Sequence, residues 1–457
     1  MVSDSIRVLC LLCFFMENGA VTDSNLLFSQ GMLTMGVWGS SSHNQSSFLH
    51  ECRCISDGCK GSSEEKTRIF TSNNLALFSK SSFFHFQWLA IFLFFLIFGK
   101  GAVASPFTYG FYPGLTYDSN EGLVMSLNLG FYYQPDSLVQ PFSSGIDPLR
   151  IIYSTKGQRN IELFWDNPSF LLKKIRWNLY AQYYRHLRYD FVGRDDFIYL
   201  PPDLSAIVDD FYFYEKERTR LIGQWQIPLF PKTALLTGFS LNRHWNKSDS
   251  FSYLNFMHSR GFISNREYSG GSFYTARLGL LFDSRDDEKN PQSGWWNELI
   301  FSPTVAGLGD FQFHKLFVMV NCYGSPAESW VLTPRLTFQK SWGNEPFFSL
   351  VEYVNSLERY EGIGGNYSVR GLTRNRLVGS EQLTLNIELR YMTFHHEFRN
   401  EQFDFQFLLF HDLGGVNLSS EPLWMNGYGA GLRLYWNKVF LITFFAGTSK
   451  ETGLQFY

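Results

Sequence analysis

The chain is predicted to be an all-β protein, a transmembrane antiparallel β-barrel, and three observations lead there. Aromatic residues are abundant, with 12 Trp, 24 Tyr and 47 Phe making up 18% of the 457 residues. Charged residues are scarce at 18%, against roughly 25% in soluble domains. Apolar and polar residues alternate with period two in segment after segment between residues 174 and 412, the pattern of strands with two unlike faces. A polytopic helical membrane protein would need repeated apolar runs of about 20 residues. Only one run approaches that length, near residues 83–98. A disordered chain would be poor in aromatics. The net charge of −3 provides no basic field for nucleic acid.

The apolar run Phe83–Phe98 follows Lys80 and precedes Gly99-Lys100-Gly101-Ala102-Val103-Ala104-Ser105. Ala102-x-Ala104 is an A-x-A cleavage pattern, so residues 75–104 read as a signal peptide cut between Ala104 and Ser105. A single membrane anchor is the alternative, but the run is short for one and small residues follow at once. Residues 1–74 are Ser-, Gly- and Cys-rich without periodicity, an extension expected to be disordered or to result from a misplaced start. They hold five of the six cysteines, including Cys52-x-Cys54-x4-Cys59, which lacks the second pair a zinc site needs. Residues 105–457 then form one barrel domain.

Within it, Arg176, Asn178, Tyr180, Gln182, Tyr184 and His186 oppose Ile175, Trp177, Leu179, Ala181 and Tyr183. Thr275, Arg277, Gly279, Asp283 and Arg285 oppose Tyr274, Ala276, Leu278, Leu280 and Phe282. Gln382, Thr384, Asn386, Glu388 and Arg390 oppose Leu383, Leu385, Ile387, Leu389 and Tyr391. Asp404, Gln406 and Asp412 oppose Phe403, Phe405, Phe407 and Leu409. Each segment has about ten residues, enough for a tilted strand to cross a bilayer. A soluble sandwich would alternate too. The charged inner face suits a water-filled lumen, the aromatic outer face suits interfacial girdles, and lipid demands a closed sheet. The count is about 16 strands, with 14 possible. Long connections are expected near 193–209, 246–272 and 344–380, and the chain closes on a strand at Thr452–Tyr457 that includes Gly453, Phe456 and Tyr457.

The segment from Tyr360 to Leu372, containing Val369-Arg370-Gly371-Leu372, resembles the lid loop of the BamA/TamA superfamily of outer-membrane barrels, the bacterial surface antigen family. Leu372 stands where that family usually has an aromatic. Phe282-Asp283-Ser284-Arg285-Asp286 with Pro291 and Gly294, then Asn386-x-Glu388-Leu389-Arg390, then Phe410-His411-Asp412-x-Gly414, then Gly427-x-Gly429-x-Gly431-Leu432-Arg433, follow in the family's order. The resemblance implies a lid folded into the lumen and Arg370 placed between the carboxylates Glu388 and Asp412. Both carboxylates lie on the lumen phase, where paired anions would repel and a planar guanidinium could serve both.

The resemblance further implies a bacterial outer-membrane location and a role in assembling or translocating outer-membrane proteins. Its partners would be outer-membrane lipid, unfolded outer-membrane proteins or a separate periplasmic protein. Nothing before the barrel resembles POTRA repeats, so an accessory role is expected. A gated pore or transporter for small solutes or lipid, or a surface antigen without transport, remains the alternative. No nucleophile elbow or triad is present, so enzymatic activity is not expected, nor any cofactor or metal. Two glycine-rich segments lack the strand–helix setting of a nucleotide loop. His395-His396 and His411 read as polar barrel residues, and Asp283, Asp286, Asp287 and Glu288 as a solvated turn.

Overall fold

The structure, a computed structural model, describes residues 107–119, 121–133, 144–169, 175–191, 193, 211–356, 362–398, 401–436 and 440–457. The extension, the signal peptide with Ala104 and Ser105, and the cysteine cluster lie outside these residues.

Sixteen antiparallel strands follow in sequence order, each hydrogen-bonded to the next in one sheet. They are β1 (Phe107–Asp118), β2 (Gly122–Tyr133), β3 (Ser144–Ser154), β4 (Gln158–Ser169), β5 (Ile175–Asp190), β6 (Phe213–Phe230), β7 (Thr233–Lys247) and β8 (Gly270–Asp283). Then come β9 (Gly294–Gly309), β10 (Phe313–Ala327), β11 (Trp330–Gly343), β12 (Glu381–Phe398), β13 (Glu401–Val416), β14 (Leu423–Trp436), β15 (Phe440–Ser449) and β16 (Gln455–Phe456). Among the described residues, three short helices sit in the connections: α1 (Tyr253–Ser259) and α2 (Asn265–Ser269) between β7 and β8, and α3 (Phe347–Leu350) between β11 and β12. β5 and β6, β7 and β8, and β11 and β12 are all joined at one end of the barrel, the lid rim. No described helix is long and apolar enough to cross a membrane.

The period-two reading of the sequence matches the burial pattern. On β5 every second residue from Arg176 to His186 is buried, while Ile175, Trp177, Leu179 and Ala181 are only partly so and Tyr183 is exposed. On β8, Leu278, Leu280 and Phe282 are exposed on the outer face, where lipid would cover them, and Arg277 is buried. Strands run past the ten residues expected; β12 has 18 and β13 has 16. A bulge between Met392 and Phe394 shifts the β12 register near its end, where residues 393–397 are all exposed, His395 and Glu397 among them.

Two features differ from the sequence reading. The lumen is not simply a polar, water-filled space. Leu236, Ile300, Phe317, Met319 and Leu408 point inward and are fully buried. A second cluster, including Tyr184, Tyr189, Tyr214, Tyr253, Phe347 and Phe348, fills the lid-rim end. Loops that fold into the barrel need an apolar surface to pack on, and these residues provide it. The closing strand is also shorter than expected. Gly453 lies outside the strand, just after a bend where the Ser449 hydroxyl accepts the Glu451 and Thr452 amides at 3.2 and 3.1 Å. Pairing begins at Gln455 opposite Gly447 and continues to Tyr457, whose amide and carbonyl both bond to Phe445 at 3.0 Å.

Closure is therefore narrow. Among the described residues, β1 forms a strand pair with β2 alone. Its contact with β16 is made at its very end, where the Ser119 amide donates to the Phe456 carbonyl and the Phe456 amide to the Ser119 hydroxyl, both at 2.9 Å.

Candidate functional site

The site is the lid, residues 344–380, and the wall it rests on. Its first part runs through the lumen, tied by buried charges. Lys315 on β10 bonds the Glu345 carboxylate and the Ser349 carbonyl at 2.7 Å, and the Glu352 carbonyl at 2.8 Å. Arg218 and Arg220 on β6 grip the Glu352 carboxylate. Glu298 on β9 accepts the Ser356 amide at 3.0 Å. Each interaction joins a lid group to an inward-facing strand residue.

The returning part carries the tip. Ile363 bridges to Leu377, and Ile363, Val369, Leu372 and Leu377 pack with Val416 in a fully buried cluster. Leu372 thus fills an apolar pocket where the family usually places an aromatic. Gly371 has φ of +93°, a conformation that a side chain at this position would strain. The chain turns there and presents Arg370 to the β12–β13 wall.

Arg370 meets both carboxylates. Its Nε and Nη2 donate to the two Asp412 oxygens at 2.7 and 2.9 Å, and its Nη1 donates to Glu388 at 2.7 Å. Its backbone amide adds a bond to Asp412 at 3.0 Å. The guanidinium lies 3.8 Å from the Phe410 ring centroid and 4.8 Å from that of Phe445. Burial disfavours the charged form, but Asp412 and Glu388 outweigh it and hold the group well above its ordinary range. Glu388 is shared with Arg390 at 2.6 Å and Arg433 at 3.2 Å, so three cations surround two anions. Asn386 takes the Ser368 carbonyl, and Arg335 the Tyr367 carbonyl at 2.7 Å.

The wall is shaped for the tip by missing side chains. A Cβ at Gly427 would lie 1.8 Å from the Arg370 carbonyl, and one at Gly414 would lie 2.4 Å from Ile363. Gly427 leaves room for the lid backbone to touch the strand, and Gly414 for the Ile363 and Val369 side chains.

The lid also reaches both flanks of the seam. On the β16 side, the Tyr457 hydroxyl donates to the Leu372 carbonyl at 2.8 Å and accepts the Gly371 amide at 3.3 Å, while Thr452 bonds the Gly371 carbonyl. On the β1 side, Arg374 forms an ion pair with Glu121 in the β1–β2 turn. Glu121 also holds His186 at 2.9 Å and the Ser154 hydroxyl at 3.0 Å. Burial would raise the Glu121 carboxyl, yet Arg374 first and then His186 pull it down to about 2. The Arg374–Glu121 pair and the Tyr457 hydroxyl carry no sequence signal of their own, since their partners are distant in the chain.

The remaining candidates lie elsewhere. Asp283 sits at the opposite rim, where Arg285 forks onto it at 2.9 and 2.6 Å. Among the described residues, no group of three or more His, Cys, Asp and Glu is arranged to hold a metal.

A 16-stranded antiparallel barrel with an apolar outer face, a charged lumen and a lid folded inside is an outer-membrane β-barrel of bacteria. Residues 148–442, well over half of the chain, match the Omp85 superfamily domain, and the chain belongs to that superfamily. Similar solved structures include BamA from Haemophilus ducreyi lacking POTRA domains 1–3, at 14% identity and TM-score 0.49, covering 77% of this chain and 69% of that one. CdiB from Escherichia coli aligns at 12% identity and TM-score 0.50, covering 78% of this chain and 63% of its own. CdiB from Acinetobacter baumannii aligns at 12% identity and TM-score 0.46, covering 78% and 60%. The chain thus spans less than two thirds of either CdiB, and at these identities the likeness is one of fold. No curated protein matches it.

Proposed function

We propose that this barrel inserts or translocates outer-membrane proteins, taking an unfolded strand at the seam between β1 and β16. The observation that carries the reading is the edge of β1, which pairs on one side only and meets β16 at Ser119. Exposed strand edges template new strands, and in a membrane an unpaired backbone has no water to satisfy it. An incoming strand would add to that edge by backbone hydrogen bonds, with an open choice of side chains. Membership of the Omp85 superfamily supports insertion or translocation in general. The partners on this reading are unfolded outer-membrane proteins and a periplasmic protein that delivers them.

The lid would act as the catch. Arg370 fixes its tip to β12 and β13, Tyr457 links it to the β16 flank, and Arg374 links it to the β1–β2 turn. Opening the seam then requires these ties to break, and a closed lid keeps the edge contact at Ser119 in place.

Leu115 on β1 is 71% exposed and marks the edge strand for a probe. A photo-crosslinking residue there should give adducts with outer-membrane protein precursors in cells. Absence of such adducts, with normal surface levels of the barrel, would contradict the reading.

A further inference from the structure

The outer wall of β4–β7 changes chemistry in ordered rows toward the lid rim. Leu163 and Leu241 lie in one apolar register row, and the next row holds Tyr183 and Arg243. The row beyond carries Arg159, Arg185 and Trp245, and Lys247 follows after that. Each row is about 7 Å further along the strands. Cations therefore begin where the lipid-facing apolar band ends, in the position of lipid headgroups.

The carboxylates among them are shared. Glu215 serves Arg185 at 2.6 Å and Lys247 at 3.9 Å, and Asp310 serves Arg243 at 3.4 Å and Arg266 at 3.7 Å. Glu217 accepts the Tyr183 hydroxyl at 3.2 Å. Arg159 and Lys247 are exposed, the Lys247 side chain at 73%. One carboxylate between two cations leaves positive charge for an external anion, and guanidinium forks suit phosphate oxygens. Outer-membrane barrels carry their longer loops outside the cell and short turns in the periplasm. The lid rim holds the long connections, so this belt faces the outer leaflet.

We infer that the belt on β4–β7 binds the phosphates of lipid A, holding a lipopolysaccharide molecule against the wall far from the seam. Arg159 and Lys247 supply the outer contacts and Arg243 the contact nearest the acyl chains, with Trp245 beside it, its ring 5.4 Å from the Arg243 guanidinium.

The test is native mass spectrometry of the full purified barrel with bisphosphorylated lipid A, its dephosphorylated form, and phosphatidylglycerol. The bisphosphorylated lipid should be retained about tenfold better than either other lipid, and Arg159→Gln/Lys247→Gln should remove most of that preference. Lys232→Gln, at the opposite rim, should leave it intact. Heat-modifiability on gels checks that each variant is folded, and Lys247→Glu alone serves if the double variant is not. Equal retention of dephosphorylated lipid A, equal retention of phosphatidylglycerol, or an unchanged preference in the folded variants would each overturn the assignment.

Discussion

Arg374 of the lid, half-buried, and the buried Glu121 of the β1–β2 turn form an ion pair at the seam. The same lid stretch bonds Tyr457 on the other flank, two residues away from Arg374 at Leu372. The lid thus bridges the first and last strands of the barrel at the point where Ser119 and Phe456 meet. Replacing Glu121 with Gln should keep the shape but remove the charge, leaving Arg374 and His186 without their anion. Cysteine-accessibility labelling of β1 should rise severalfold in this variant if the lid bridges the seam. Unchanged labelling would show that the pair is not coupled to the edge.

The same pair sets a pH dependence. Glu121 titrates at about 2 in the folded barrel against 4.5 when unperturbed. A depressed carboxylate contributes stability that is fully present above its unfolded value and is lost as pH falls through its folded value. The lid amides should therefore stay protected from hydrogen exchange at pH 5 and lose protection between about pH 4.5 and 2. In Glu121→Gln this acid step should be absent, which separates it from the titration of other carboxylates.

Arg370→Ala leaves Glu388 and Asp412 without the lid cation and should cost about 3–5 kcal/mol, the usual penalty for breaking a buried ion pair from one side. The urea midpoint of the heat-modifiability transition reads this. Arg370→Lys should recover only part of it, since an ammonium cannot hold both Asp412 oxygens and Glu388 in one plane. Full recovery by Lys would mean that charge alone, rather than the fork, anchors the tip.

Gly427→Ala tests the fit without touching a charge. Its Cβ would stand 1.8 Å from the Arg370 carbonyl, so the lid or the strand must move. Faster tryptic cleavage after Arg374 or Arg376 is expected, with the barrel still folded. Protection equal to wild type would mean that the wall yields instead.

Cleavage of a signal peptide after Ala104 remains a proposal from the sequence. Amino-terminal sequencing of the protein from outer membranes should begin at Ser105. Peptides from residues 1–104 in that fraction would contradict it.

What was legible in the sequence depended on range. The alternation on β5 and β12 is a local property, so the inward Arg176 and Glu388 could be read directly. Arg370, Glu388 and Asp412 were reachable because their motifs stand in a familiar order. Leu408 and Phe317 were not, since an inward apolar residue looks the same as a lipid-facing one until the lid is known to fill the lumen. The bend before Gly453 rests on one Ser449 hydroxyl, which the local pattern does not reveal. Arg374 and Glu121 belong to distant segments that the barrel alone brings together.

Whether the seam receives other outer-membrane proteins is read from depletion of the protein, with the outer-membrane barrels counted by quantitative mass spectrometry. Several other barrels should fall together. An unchanged census, with the protein gone, would contradict that role for the seam.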